Sequence, residues 1–401
     1  MNSNLNFTFP EKAKRFTYAL MAFGLISIIV SFVTDSGGDD THYHHNRAWA
    51  NIFINSFFFM AIGLAAAFFL GLQYAAEAGW ATSIKRVIEA TAWYLPWGLS
   101  LMMLMFILGV FGAHHIYPWM DSEMVKADPA IQAKMGYFGV FWWIRSIAYM
   151  AAWLYFTWKL RKNSMDAEMG QGTELHFKNV KLGAWFMVIF AVTSSTSAWD
   201  WLLSIDVHWF STLYGWYIFS GMWVSAITAM MLIIIYLKKL GYLDFVTEST
   251  IHDLGKWMFA ISFLWTYLYF SQFMLYWYAN IPEEIVYFQQ RWQDYEALMW
   301  TVFFINFACP MIMLMSRDAK RNFWLLMFVG VVIFIGHWMD VVMIVMPGTV
   351  GHHWTGLSWK EFGVFAGFFG LFLHVVLNNL SKRPLLVKNH PFLDEALQHS
   401  I

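Results

Sequence analysis

The sequence predicts an all-α integral membrane protein of about ten transmembrane helices. The grounds are an apolar composition, hydrophobic runs of about 20 residues, and basic residues that alternate between successive connections. Of 401 residues, 59% are hydrophobic and only 13% charged, with 24 Trp and 39 Phe. A soluble domain of this size needs more polar surface, so the chain requires lipid as its solvent. In hydrocarbon every backbone N–H and C=O has to be paired within the protein, which leaves helices or a closed barrel. Barrel strands alternate over about 10 residues, whereas these runs are about twice as long.

In chain order the expected spans are 16–34, 50–72, 90–112, 137–159, 181–203, 213–236, 257–279, 297–315, 324–346 and 362–380. The first follows Lys12, Lys14 and Arg15. It is long and lacks a small-residue cleavage signature, so it reads as a retained helix rather than a signal peptide. The third holds Pro96 and the fourth Arg145, while the fifth ends in the run Thr-Ser-Ser-Thr-Ser-Ala-Trp-Asp at 193–200. The eighth carries Cys309 and Pro310, the ninth His337 and Asp340, and the tenth His374. The longest connections, 35–49, 113–136 and 160–180, are too short to fold alone, so residues 1–401 form a single membrane domain with a tail at 381–401.

Nineteen Lys and Arg fall on the side of the N-terminus, and five (Arg47, Lys126, Lys134, Arg291 and Lys360) on the other; Arg145 inside a span completes the 25. That asymmetry puts both termini in the cytoplasm. The basic residues are spread over helix ends rather than gathered into one patch, and the net charge is −1, so nucleic acid is not an expected partner. The single cysteine, Cys309, permits neither an internal disulfide nor an iron–sulfur cluster held by Cys, and any such metal centre would belong to partners.

Charged side chains inside spans are costly unless paired or hydrated, which makes each a functional candidate. Glu77 and Glu89 lie near the N-terminal side, Glu89 the deeper. At a rise of about 1.5 Å per residue, Arg145 lies roughly 12 Å below the outer surface, Asp340 roughly 9 Å, His337 roughly 14 Å and Asp200 roughly 5 Å. Arg145 needs a counter-ion, for which Asp340 or Asp200 would serve, and coupling of Arg145 with Asp340 is expected from their similar depth. His337 and Asp340, three apart, share one helix face, where a carboxylate can orient an imidazole and pass protons. Structural pairing and proton transfer both fit these residues. Thr193 and Ser197 line up beneath Asp200, either to hold water or to bond back to carbonyls of their own helix. His374 lies roughly 18 Å from the outer surface, so it does not match His337 in height for a bis-histidine haem. His42, His44 and His45, beside Asp39 and Asp40, read either as a metal-binding loop or as a solvated polar one.

The stretch 198–223, Ala-Trp-Asp-Trp-Leu-Leu-Ser-Ile-Asp-Val-His-Trp-Phe-Ser-Thr-Leu-Tyr-Gly-Trp-Tyr-Ile-Phe-Ser-Gly-Met-Trp, resembles the signature joining two helices in the larger membrane subunits of bacterial alternative complex III. This is the quinol:cytochrome c oxidoreductase built on the polysulfide-reductase (NrfD-like) superfamily. The likeness is to the F subunits, because His208-Trp209-Phe210-Ser211-Thr212 stands where the sibling C subunits have a Gly-Trp-His-type variant. The resemblance implies two four-helix bundles, 90–236 and 257–380, with spans one and two (16–72) peripheral. It also implies a respiratory electron-transport complex in the bacterial cytoplasmic membrane. The partners it implies are a sibling C subunit, an iron–sulfur subunit, c-type cytochrome subunits carrying haem c and, in some bacteria, a terminal oxidase. The chain itself would hold no redox cofactor and would serve assembly, proton translocation or contact with quinone and quinol.

In the motif loop, Asp200 and Trp201 end span five. Ser204, Asp206, His208 and Trp209 form the connection, and Ser211 and Thr212 precede span six as N-cap candidates. The loop serves either as a partner-docking connection or as a proton exit. The proton route expected from position runs through Asp200, Thr193, Ser197, His337, Asp340 and Arg145, with an inner half at Glu89 and His374. The competing function is a secondary transporter with a polar midplane site. Such proteins have breaks in corresponding spans, which Pro96 and Pro310 do not occupy.

Overall fold

The computed structural model describes residues 5–35, 45–170 and 172–400, and every regular element among them is helical. In order these are α1 (Glu11–Thr34), α2 (Asn46–Ala75), α3 (Lys85–Ala92), α4 (Leu95–Val110), α5 (Ser122–Ala127), α6 (Pro129–Lys134), α7 (Gly139–Asp166) and α8 (Gly172–Trp201). The second half holds α9 (Tyr214–Lys239), α10 (Glu248–Ala279), α11 (Pro282–Asp294), α12 (Glu296–Phe303), α13 (Cys309–Met313), α14 (Phe323–Thr349), α15 (Trp359–Leu380) and α16 (Leu393–Gln398). Each expected span coincides with a helix or a broken helix. Among the described residues, nine helical segments are long and apolar enough to cross a membrane. The fourth expected span, α7, has the length at 28 residues, but Arg145 and its many Trp and Tyr lower its mean hydropathy below theirs. The protein is an all-α, multi-pass membrane protein.

One helix outruns its apolar window because its polar first turn is capped. Thr247 accepts a hydrogen bond from the Thr250 N–H at 3.2 Å, and α10 therefore starts at Glu248 rather than near 257. The third span is interrupted at Trp93 and Tyr94, with Pro96 in the first turn of α4. The eighth is joined by a π turn at 304–308 that precedes Pro310, whose missing N–H disrupts the α-helical ladder.

The two ends meet, since the Leu385 N–H donates to the Leu5 carbonyl at 2.7 Å. That side is called the terminal face below and the opposite one the far face. On the far face Arg47 binds Glu361 through Nε at 2.8 Å and also donates to Thr355 and to the Gly356 carbonyl, tying the start of α2 to the start of α15.

Of the two spans expected to be peripheral, only α1 is. It lies along α15 through small residues and turns Phe16, Leu25, Ile26 and Val33 outward. By contrast α2 runs through the middle of the molecule, packed by α3, α4, α8, α9, α14 and α15, with 89% of its apolar window buried against 22% for α1. The reason is in its sequence. It is apolar all round, as an enclosed helix has to be. Gly63 and Gly71 also admit close backbones: a Cβ at Gly63 would lie 3.0 Å from the Leu95 nitrogen, and one at Gly183 2.6 Å from the Gly71 carbonyl.

Candidate functional site

Asp200 is the penultimate residue of α8, and its side chain is fully buried. Arg145 of α7 grips it with both arms, Nη2 to Oδ1 at 2.6 Å and Nε to Oδ2 at 2.9 Å, and the Tyr149 hydroxyl donates to Oδ2 at 3.0 Å. The guanidinium packs against the Tyr137 ring at 3.9 Å and against Phe141. The carbonyls that a helix end leaves unpaired are taken up by aromatic donors. Trp142 Nε1 donates to the Asp200 carbonyl at 2.8 Å and the Tyr117 hydroxyl to that of Trp201 at 2.7 Å. Ser204 closes the turn by donating to the same Asp200 carbonyl at 2.5 Å, and Trp201 Nε1 reaches Ser146 at 3.0 Å.

The expected coupling of Arg145 with Asp340 is therefore corrected: Arg145 spends its charge on Asp200. Depth alone could not distinguish the two carboxylates, because azimuth around the helices decides which one it reaches. The hydroxyls beneath Asp200 bond within the protein. Thr193 donates to the Ile189 carbonyl at 2.8 Å while accepting from Trp153 Nε1 at 2.9 Å, and Ser197 donates to the Ser194 carbonyl at 3.0 Å.

The loop at 202–213 is held from several sides. Asp206 accepts from Arg291 Nη2 at 3.1 Å, Lys134 donates to the Val207 carbonyl, and His208 meets Asp128 at 2.7 Å. Trp209 stacks on Tyr287 at 3.7 Å, and the Arg291 guanidinium lies 3.3 Å from the centroid of the same Tyr287 ring. Burial keeps the Tyr287 hydroxyl well above its ordinary range, so it remains a neutral donor. Ser211 and Thr212 do not cap the next helix. α9 begins at Tyr214 after Leu213 with no side-chain cap, and the Ser211 carbonyl instead accepts from Trp199 Nε1 at 3.2 Å.

A second buried group lies on α9, α10 and α14. Asp340 accepts from the Tyr217 hydroxyl and from Trp265 Nε1, the latter at 3.0 Å, and His337 Nδ1 stands 3.9 Å from its Oδ2. The imidazole is 2% exposed, its edge meets the Trp265 ring at 5.3 Å, and neither ring nitrogen has a hydrogen-bond partner among the described residues. Gly221 leaves room beside it, since a Cβ there would come 3.6 Å from Nδ1. Asn306, in the π turn and packed on Gly336, likewise has both amide atoms unpaired. Two cavities of about 20 Å³ lie in this region, one at the carboxylate and one on the far side of its Tyr217 donor. One touches His337, Asp340 and Ser225; the other touches Tyr217, Gln272, Tyr287 and Arg291. Each has room for one water molecule, and buried polar atoms of this kind are commonly satisfied that way.

Towards the terminal face, Glu89 of α3 pairs with Arg86 at 2.5 Å, and Arg86 also binds Glu168. His374 faces α1, its Nδ1 3.1 Å from the Thr17 hydroxyl and its ring beside Phe9 and Tyr18. Sequence reasoning missed Tyr217, Trp265, Asn306 and Arg291. Only Asn306, a lone amide in an apolar run just before Pro310, carried a local signal. His42, His44, Asp39 and Asp40 lie outside the described residues, and among those described no cluster of three or more metal-ligating side chains occurs.

The tail packs back on the terminal face. His390 lies against His176, ring centroids 4.9 Å apart, with Nδ1 3.4 Å from the Thr82 hydroxyl. Burial, then Lys85 and His176, push its pKa from 6.5 down to about 2. Docked, the imidazole is neutral; undocked, it takes a proton below about 6.5. Docking is therefore fully stable above that pH and weakens as pH falls from there towards 2. Hydrogen exchange of residues 385–396, corrected for intrinsic rate, should accelerate about tenfold for each unit below 6.5, and His390→Phe should remove most of that dependence, leaving what the neighbouring His176 contributes.

The sequence matches no family model and no curated protein.

Proposed function

We propose that this chain is a cofactor-free membrane subunit of a bacterial quinol:cytochrome c oxidoreductase of the alternative complex III type. It would sit in the cytoplasmic membrane with its terminal face inside, where it supports assembly and carries protons. The 198–223 resemblance supports the family assignment, and the 19 to 5 division of basic residues supports the orientation. The partners are those the resemblance implies: a sibling C subunit, an iron–sulfur subunit, c-type cytochromes and, in some bacteria, a terminal oxidase. They would hold the haem and iron–sulfur centres, and quinol would be oxidised outside this chain.

The observation that carries the proton reading is Asp340 with His337. Here a buried carboxylate has neutral donors on both oxygens and an imidazole with two unpaired nitrogens next to it. A proton arriving from the Arg291 and Gln272 side would reach the Tyr217 oxygen while the Tyr217 proton passes to Asp340. The imidazole is placed to take it further inward, by way of the water-sized space that both groups line. Asp200, gripped by a guanidinium that stays charged, is the static member of the two carboxylates. The route therefore lies in the second half of the chain rather than through Thr193 and Ser197.

Purification of the tagged chain in mild detergent should recover cytochrome c and iron–sulfur subunits; recovery of the chain alone would count against the assignment. In vesicles reconstituted with the complex, Asp340→Asn and His337→Gln should each lower proton release per electron while quinol oxidation continues. Unchanged stoichiometry in both variants would reduce this cluster to packing. A substrate flux driven by the isolated chain would support the transporter reading instead.

A further inference from the structure

A cavity away from both carboxylates lies between α1, α9, α14 and α15 in the half nearer the terminal face. Its volume is about 440 Å³, within the range of roughly 300–1,000 Å³ typical of small-molecule sites. Ala13, Leu232, Phe334, Phe369 and Leu377 are among its walls, and Phe16 and Val331, which also line it, are exposed on the outer surface, so the cavity opens sideways. Along α15 the lining runs from Leu377 to Phe365, or about 5 to 22 Å below the helix end at 1.5 Å per residue. That depth corresponds to one leaflet of a hydrocarbon layer about 30 Å thick.

The walls offer almost nothing to a polar ligand. The Thr17 hydroxyl donates to the Lys14 carbonyl at 2.8 Å, and Tyr236 lies only three residues from the end of α9, at the mouth. The mouth is cationic. Lys12 shares a helix face with the lining residue Phe16, exposed Arg15 lies on the same turn, and Lys239, exposed with its ammonium 4.1 Å from the Trp324 ring centroid and 3.2 Å from the Met327 sulfur, shares a face with Tyr236. The one carboxylate on this stretch of α1, Glu11, is paired with Lys14 at 2.8 Å.

We infer that this cavity holds an acyl chain of an anionic phospholipid, whose headgroup sits among Lys12, Arg15 and Lys239. A sideways opening admits the chain from the bilayer, the apolar walls match it, and the exposed cations, none of them held by a carboxylate among the described residues, select the headgroup. The inference is independent of the proton reading.

The test uses full-length protein reconstituted in nanodiscs of phosphatidylcholine with a minority of phosphatidylglycerol, released by mild activation and weighed by native mass spectrometry. One phosphatidylglycerol per chain should be retained in preference to phosphatidylcholine. Ala229→Phe, which fills the cavity from α9, should reduce retention about tenfold or more. The exposed triple substitution Lys12→Gln, Arg15→Gln, Lys239→Gln should erase the headgroup preference by a similar factor without disturbing the core, which keeps the test open should Ala229→Phe misfold. Unchanged retention and preference in the triple variant would overturn the inference. So would recovery of a quinone as the retained molecule.

Discussion

Replacing Arg145 with Met should cost about 3–5 kcal/mol, because it leaves Asp200 as an unpaired carboxylate with no exposed surface. The Tyr149 hydroxyl would remain as a donor, but a neutral donor cannot offset the charge of a carboxylate held at the end of an apolar helix. The consequence should reach beyond one contact. Asp200 anchors the helix end from which the 202–213 loop departs, and the Trp142 and Tyr117 donors converge on the same turn. Asp200→Leu alone strands the guanidinium and should be comparably damaging. The double variant Arg145→Met, Asp200→Leu should recover most of the loss, since a buried pair replaced by apolar groups of similar volume is often close to neutral. Unfolding of the detergent-solubilised protein, followed by fluorescence size exclusion, measures all three. The cycle of Arg145→Met with Asp340→Asn should be additive within about 0.5 kcal/mol, as expected of sites with no shared partner. Coupling there, or single variants as stable as the parent, would contradict the pairing.

The second large effect is expected at the contact of α1 with α15. A Cβ at Gly24 would fall 2.3 Å from the Gly367 Cα, and one at Gly367 2.6 Å from the Gly24 Cα. The obstacle is backbone on both sides, so no side chain can swing away. Lipid tails are as apolar as the helix surface, and α1 is therefore held by close approach rather than by a hydrophobic drive. Ser27, opposite Gly363, belongs to the same seam. Gly367→Leu should exceed the usual overpacking cost of about 1–3 kcal/mol and displace α1 while the enclosed helices stay folded. In a Cys309→Ser background, Ser27→Cys should be shielded from a lipid-soluble maleimide and become labelled once Gly367→Leu is added. Gly367→Ala should give an intermediate result. Equal protection in all three would show that the seam tolerates side chains.

Much of this architecture is legible in the chain itself, because the bilayer imposes a local rule. A segment in hydrocarbon must satisfy its own backbone, so apolar length alone announces α1, α8, α9, α14 and α15, and the penalty on ionised groups marks Arg145, Asp200, His337 and Asp340 as residues needing partners. Even the end of α8 at Asp200 and Trp201 is local. Rotation about each helix axis is not local. A rise of 1.5 Å per residue locates Arg145 in depth but not in azimuth, so Asp200 and Asp340 were equivalent until packing turned one of them towards it. For the same reason Thr193 and Ser197 could be placed on one face, but whether that face met water or Trp153 depended on α7. The position of α2 was hidden too, because an apolar segment reads alike whether lipid or protein surrounds it; small residues such as Gly63 and Gly71 let neighbouring backbones close over it. Composition and periodicity thus determined that this chain crosses a membrane as helices and which of its charges need an answer. Only the packing of those helices decided that Arg145 answers Asp200 and that Asp340 is left with Tyr217, Trp265 and His337, because choosing a partner is a matter of which faces meet.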